Sequence, residues 1–307
     1  MPDTSSVSEQ SKNGTSVLPD WVDKVSSILR IVAFVCPSLA AKFMATIWFK
    51  PFMPKPKQYV LDWQQSAQEK IDLNLGQAFL FYNDSPSFEE QPLVVCVHGW
   101  RGRAHQMRRF TPVLLKRGFR VMMVNLPAHF GQGENYTHIY ECADELKEIH
   151  EKFGPIDSII THSFGSPATA LALNENFKIR KFIMIAPNLD INYLLNEYAA
   201  AFGLQKLIPK ITQYIKQYCD RNIFPGSWEN LTIETLLHNL NFSEEVEIWH
   251  DLLDTEISIE TNQTVFQMLL ERGQTAKLTE LQGLGHFKIL KNQETIDSIC
   301  TGLMSNS

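Results

Sequence analysis

Ser163 stands at the end of an apolar run, IDSIIT at 156–161, within His162-Ser163-Phe164-Gly165, and a segment rich in small residues, SPATALALN, follows it. A serine in the sharp turn between a strand and a helix presents its hydroxyl clear of the chain, the arrangement of a nucleophile elbow. The strained backbone of such a turn leaves room only for compact residues two places before and two places after the serine, hence the pattern G-x-S-x-G. Gly165 meets the later demand, and Thr161, still compact, replaces the earlier glycine. Pro167 falls in the first turn of the coming helix, where a missing N–H is harmless. The chemistry implied is attack of an activated hydroxyl on a carbonyl carbon. The competing reading of Ser163 is an ordinary helix N-cap.

Two further segments supply what such a serine needs. VVCVHGWRG at 94–102 ends a strand-like run in His98-Gly99-Trp100. The backbone N–H of Trp100, together with that of Phe164, would form an oxyanion hole, with Gly99 allowing the close approach of backbone to substrate. A plain glycine turn is the alternative. Near the C-terminus GLGH ends at His286 and HDLLD ends at Asp254, so base and carboxylate follow the nucleophile in the order Ser163, Asp254, His286. That order differs from the chymotrypsin and subtilisin arrangements of the same three groups.

The elements that must position these residues are legible as alternating runs. Strands are expected at 78–82, 93–97, 120–125, 157–161, 181–185, 246–249 and 276–280, and helices at 104–116, 136–152, 167–176, 259–272 and 294–304. LVVCV and FIMI are continuous apolar runs, which suits strands covered on both faces. Strand followed by helix, repeated, predicts an α/β fold with a mostly parallel sheet and helices on both faces. About sixty residues separate the strand near Ile185 from that near Val246, more than a crossover needs. An inserted helical cap at about 189–243 fills the interval, and its aromatic residues Tyr193, Tyr198, Phe202, Tyr214 and Tyr218 would shape an acyl pocket or form the cap's own core.

Composition narrows the function classes. The 307 residues are 44% hydrophobic and 20% charged, which excludes disorder for the bulk of the chain. With 28 Lys and Arg against 34 Asp and Glu, the formal charge is −6, and no nucleic-acid partner is expected. Cys36, Cys96, Cys142, Cys219 and Cys300 form no C-x-x-C pair, which argues against zinc and against a disulfide framework, and no other metal-ligand cluster or cofactor motif is apparent. A reducing, cytoplasmic setting follows. Residues 1–16 read as a polar disordered tail, 17–58 as a helical segment and linker, and 59–307 as the α/β domain with its cap. In the segment from Trp21 to Phe52, Arg30 and Lys42 bracket an uncharged apolar run of only eleven residues, Ile31 to Ala41, and Pro37 interrupts it. A bilayer span needs about 20 apolar residues, so peripheral helices are expected, with contact at a membrane surface as an additional expectation and with Trp48, Phe49, Phe52 and Lys50 turned toward that interface.

The sequence resembles the α/β-hydrolase superfamily, and within it a little-characterised bacterial branch with an HGW-x-GR oxyanion segment, a PAH turn and an HSFG elbow. The matching residues are HGWRGR at 98–103, LPAHFGQG at 126–133, THSFGS at 161–166, APN at 186–188, HDLLD at 250–254 and GLGHFKIL at 283–290. The resemblance implies Ser163 as nucleophile, His286 as general base and then acid, and Asp254 as the group that orients the imidazole. Asp251, in the place where the family usually has glycine after His250, is a rival for the acid role, and Glu256 a weaker one. A serine hydrolase of carboxylic esters or thioesters, working on a small-molecule ester without a cofactor, is the implied function. The alternative from another class is a catalytically weak or inactive binding module on the same fold, suggested by Thr161 and the crowded acid loop.

Overall fold

The apolar runs become the centre of an eight-stranded sheet in the computed structural model, which describes residues 22–84, 87–130, 135–221 and 228–304. The tail expected at 1–16 lies outside the described residues. In chain order the elements are helices α1 (Val22–Val35), α2 (Pro37–Trp48) and α3 (Gln58–Gln65), strands β1 (Glu69–Asp72), β2 (Gln77–Phe81) and β3 (Leu93–Val97), then α4 (Phe110–Lys116), β4 (Arg120–Asn125), α5 (Ile139–Phe153), β5 (Ile156–His162), α6 (Gly165–Ala172) and β6 (Ile179–Ile185). The cap interval follows with α7 (Ile191–Ala201), α8 (Ile208–Arg221) and α9 (Ile233–Asn239), and the chain closes with β7 (Ser243–Asp251), α10 (Ile259–Glu271), β8 (Thr275–Leu281), α11 (Gly285–Lys288) and α12 (Gln293–Gly302).

The strand order is β1-β2-β4-β3-β5-β6-β7-β8. Strands β1 and β2 pair antiparallel with their neighbours, and every pairing from β4 to β8 is parallel. Every residue of β3 is buried, as its unbroken apolar run requires. One layer of the core holds Leu146, Ile159, Phe182 and Leu269, and the other holds Phe110, Ile160, Ile183 and Ile299. Neighbouring residues of β5 and β6 thus serve opposite faces. The parallel order places the C-terminal ends of β3, β5, β7 and β8 at one edge of the sheet, where the loops carrying Gly99, Ser163, Asp254 and His286 emerge.

Four of these elements escape the sequence reading, the short helices α9 and α11 among them. β1, with sequence EKID, is largely exposed at the sheet edge and has no apolar period to betray it. α3 begins at Gln58, just past the proline-spaced stretch.

The N-terminal segment forms two helices, broken at Cys36, which has the extended φ of −141° that a following proline favours, with Pro37 opening α2. These helices share one core with the cap: Leu29, Met44, Ile47 and Phe49 pack with Leu195, Phe202, Ile211 and Ile215. Arg30 Nε donates to the Phe202 carbonyl at 3.2 Å and the Tyr198 hydroxyl donates to the Met44 carbonyl at 3.0 Å. Each large apolar side chain buried here contributes roughly 1.5–3 kcal/mol. The expectation that Phe49 and Trp48 face an outer interface is corrected by this packing. Phe49 is only 3% exposed and stacks on Tyr218, while Trp48 is half-buried against Tyr198 and Trp228. Among the described residues no helix is long and apolar enough to cross a membrane.

Candidate active site

Strand β5 delivers Ser163 into a left-handed turn, with φ +49°, and the Ser163 N–H donates to the Ile185 carbonyl at 2.9 Å. The turn is possible because Gly165 has no side chain: a Cβ there would lie 2.7 Å from the His98 carbonyl oxygen and 2.9 Å from that of Val97. Thr161 is accommodated because its buried hydroxyl donates to the Ile183 carbonyl at 3.3 Å and lies 2.8 Å from Ser166 Oγ. The earlier glycine of the pattern is therefore replaced without leaving a buried hydroxyl unpaired.

Gly99 brings the loop after β3 against the elbow, since a Cβ there would sit 3.0 Å from Ser163 Cβ and 3.1 Å from His162 Nδ1. Trp100 and Phe164 flank Ser163 along one cavity wall, their rings edge to face at 5.0 Å. Neither backbone N–H donates to another described residue, which leaves both able to meet developing negative charge on a bound carbonyl. His98 fixes the loop from below: its Nδ1–H donates to the Gly99 carbonyl at 2.7 Å and its Nε2 accepts from the Leu126 N–H at 3.1 Å.

His286 and Asp254 meet, with His286 Nδ1 2.8 Å from Asp254 Oδ2. The other carboxylate oxygen of Asp254 accepts from the N–H groups of Glu256 at 2.8 Å and Ile257 at 3.0 Å. Burial alone would raise the Asp254 pKa, but the His286 contact and these backbone bonds outweigh it and hold the carboxyl below its ordinary value. Asp251 does something else. Its Oδ2 accepts from the Leu284 N–H at 2.8 Å and its Oδ1 from Leu253 at 2.9 Å, and the N–H groups of Gly283 and Gly285 add to this set. It therefore braces the turn that presents His286, with burial opposing and the backbone bonds prevailing to keep it ionised. Glu256 lines the cavity, contributing its backbone N–H to Asp254. Among the described residues, no hydrogen bond joins Ser163 Oγ to His286; such bonds often close only once substrate is bound.

Three further residues, of which His162 and His250 fall within the motifs quoted above, support the site through hydrogen bonds that the sequence does not announce. His162 turns away from Ser163, and its Nε2–H donates to the His286 carbonyl at 2.9 Å, tying the histidine loop beside the elbow. His250 Nε2–H donates to the Ile257 carbonyl at 3.0 Å and lies 3.4 Å from Asp254 Oδ2. Buried Asn262 sets that tautomer by donating to His250 Nδ1 at 2.6 Å and also to the Pro187 carbonyl at 3.0 Å. Burial pushes the pKa of His98 well below 6.5, that of His129 to about 4 and that of His162 to about 3, and lowers His250 as well. His129, fully buried against the Trp100 ring, is a packing residue. Burial likewise raises the Cys96 and Cys142 thiols, so neither is a thiolate at neutral pH. Among the described residues no group of three His, Cys, Asp or Glu side chains could hold a metal ion.

Ser163 opens into a cavity of about 340 Å³. Its walls are mostly apolar and include Trp100 and Phe164 beside the elbow, Leu194 and Phe202 of the cap, and Ile47 and Trp48 from the end of α2, with the start of α5 at 137–140 and the acid loop at 255–257 completing them. Tyr198 and Phe202 thus line it, whereas Tyr193 and Tyr214 do not.

A sequence profile of the alpha/beta hydrolase family matches residues 94–297, and the chain belongs to that family. Among solved structures it is similar to an esterase of Pyrococcus furiosus, at 13% identity and a TM-score of 0.58 over 82% of this chain and 98% of that one. It is also similar to a thermophilic esterase of the planctomycete Thermogutta terrifontis with propionate bound, at 14% identity and a TM-score of 0.55 over 78% and 92%. The thioesterase domain of the curacin biosynthetic pathway matches at 14% identity and a TM-score of 0.51 over 77% and 98%. At these identities the likeness is one of fold. No curated protein matches the sequence.

Proposed function

We propose that the protein is a serine hydrolase that cleaves a carboxylic ester or thioester through an acyl-enzyme intermediate. The observation that carries this reading is the 2.8 Å contact between His286 Nδ1 and Asp254 Oδ2, close beside an elbow serine that opens into an apolar cavity. An ionised carboxylate on Nδ1 leaves Nε2 free of its proton and able to accept one from Ser163 Oγ. As Oγ bonds to the carbonyl carbon, the carbonyl oxygen becomes an oxyanion held by the N–H groups of Trp100 and Phe164. The tetrahedral adduct then collapses, the alcohol or thiol departs with the proton from His286, and the acyl group stays on Ser163. Water, deprotonated by His286, repeats the sequence and releases the acid. Support for the ester and thioester class also comes from the esterases and the thioesterase that share the fold. The test is hydrolysis of p-nitrophenyl esters of graded acyl length. Turnover should fall at least ~10³-fold in Ser163→Ala. Equal rates in parent and variant, or none in well-folded parent, would return the protein to the binding-module reading.

A further inference from the structure

The joint between α1 and α2 stands clear of the protein. Six consecutive residues, Phe34 to Leu39, are all exposed. Its side chains are those usually found inside: Phe34 is 90% exposed, Val35 77%, Ile31 67% and Leu39 58%. Of the thirteen large apolar side chains exposed among the described residues, six lie between Ile28 and Phe43. A contiguous apolar patch of this kind marks an interaction surface.

Charge says what covers it. The chain as a whole is acidic, with a formal charge of −6, yet from Lys24 to Leu61 it carries six cations (Lys24, Arg30, Lys42, Lys50, Lys55 and Lys57) and no Asp or Glu. Arg30 and Lys42 bracket the uncharged stretch on its two sides. Gly203 of the cap lies against the Arg30 side chain, and three residues further on Lys206 is exposed, with Lys210 after it. An apolar projection flanked by Arg30 and Lys42, with Lys206 and Lys210 on the adjoining cap, is complementary on this otherwise acidic molecule to one kind of partner, a leaflet of anionic lipid. A second copy docking through the same patch would set these cations against their own counterparts. The polar first 20 residues contain no apolar run that could cover the patch.

From this we infer that the protein docks monotopically on anionic membranes, with Ile31, Phe34, Val35 and Leu39 entering the acyl region and the flanking Arg30 and Lys42 at the headgroups. Neither helix can go through: α1 has 14 residues and α2 has 12, about 21 Å and 18 Å at 1.5 Å per residue, against a hydrocarbon core of about 30 Å. The geometry adds a consequence for the cavity. α2 begins at the docked joint and ends at Ile47 and Trp48, which are cavity wall, so one short helix connects the lipid surface to the site. Resting on the proposed hydrolase reading, this identifies the substrates as esters with a lipid-soluble acyl chain taken from the membrane.

Flotation of the full chain with vesicles decides the docking without reference to turnover. The expected result is that the protein floats with vesicles of equal phosphatidylcholine and phosphatidylglycerol, less so at high salt, and not with phosphatidylcholine alone. Phe34→Ser combined with Leu39→Ser, both outside the core, should abolish flotation while leaving the thermal melt and the hydrolysis of soluble short esters unchanged. No flotation with anionic vesicles, flotation of the double variant equal to that of the parent, or a dimer that the same double substitution dissolves would each overturn the inference. If docking holds but neither soluble nor vesicle-borne esters are hydrolysed, the functional reading fails while the membrane surface stands.

Discussion

Asp251 and Asp254 are three residues apart and both ionised, yet their hydrogen bonds assign them different work. Asp254 touches the imidazole; Asp251 touches only backbone. Asp254→Asn is therefore expected to lower turnover by about 10³–10⁴-fold, because the amide favours the wrong tautomer of His286. Asp251→Asn should lower turnover far less and instead reduce stability by about 1–3 kcal/mol, since an amide cannot accept all the N–H groups of the 283–285 turn. Steady-state kinetics and urea melts on both variants check this, and the reverse ranking would move the triad acid to Asp251. The other histidines of the site refine the pH dependence. Burial keeps His98, His129, His162 and His250 neutral through the neutral range, so none of these four should steepen the acid limb of log kcat/KM against pH beyond a slope of one. A slope of two would mean that one of these buried histidines protonates in that range.

The two glycines of the elbow region separate positioning from packing. In Gly99→Ala the new methyl group would press on Ser163 and His162 at the loop that carries the Trp100 N–H, so kcat is expected to fall about 10²–10³-fold with little change in melting temperature. In Gly165→Ala the methyl group meets backbone at 2.7 Å, and stability should drop by about 1–3 kcal/mol as well. At the far edge, the β1–β2 turn rests on Glu145 of α5, which accepts from the N–H groups of Leu75 and Gly76. Burial raises Glu145 to about 7, the backbone bonds opposing and Glu148 reinforcing the rise. Between about pH 4.3, the unfolded value, and about 7 the folded protein keeps a proton that the unfolded chain releases, so stability falls as pH rises through that window. Glu145→Gln should flatten this slope in urea midpoints measured at pH 5 and pH 8, and an unchanged slope would show that Glu145 is ionised throughout. The strands that read clearly in the sequence were those whose burial on both faces left an unbroken apolar run, such as 93–97. β1 was hidden because an edge strand needs no apolar residues; the roles of His162 and Asn262 were hidden because they bond to carbonyls far along the chain, those of His286 and Pro187, and that of His250 because its bond to the Ile257 carbonyl depends on how the acid loop folds.

At the scale of the whole molecule, the N-terminal helices and the cap are one body. Residues 160 or more positions apart share a core and a cavity wall, which no local pattern announces, and this is why the sequence reading placed Trp48 and Phe49 on an outer surface. Trp48→Ala should enlarge the cavity and move the preferred acyl chain of p-nitrophenyl esters to greater length. Phe49→Ala, in the shared core, should cost about 3–5 kcal/mol of stability. An unchanged chain-length profile in Trp48→Ala would place the acyl group elsewhere. The central claim is that one hydroxyl among all those of the chain is activated, and covalent labelling reads this most directly. With a fluorophosphonate probe and peptide mapping by mass spectrometry, a single adduct on Ser163 is predicted, lost in Ser163→Ala and strongly slowed in Asp254→Asn. Labelling that persists in Ser163→Ala, or folded protein that does not react at all, would contradict it.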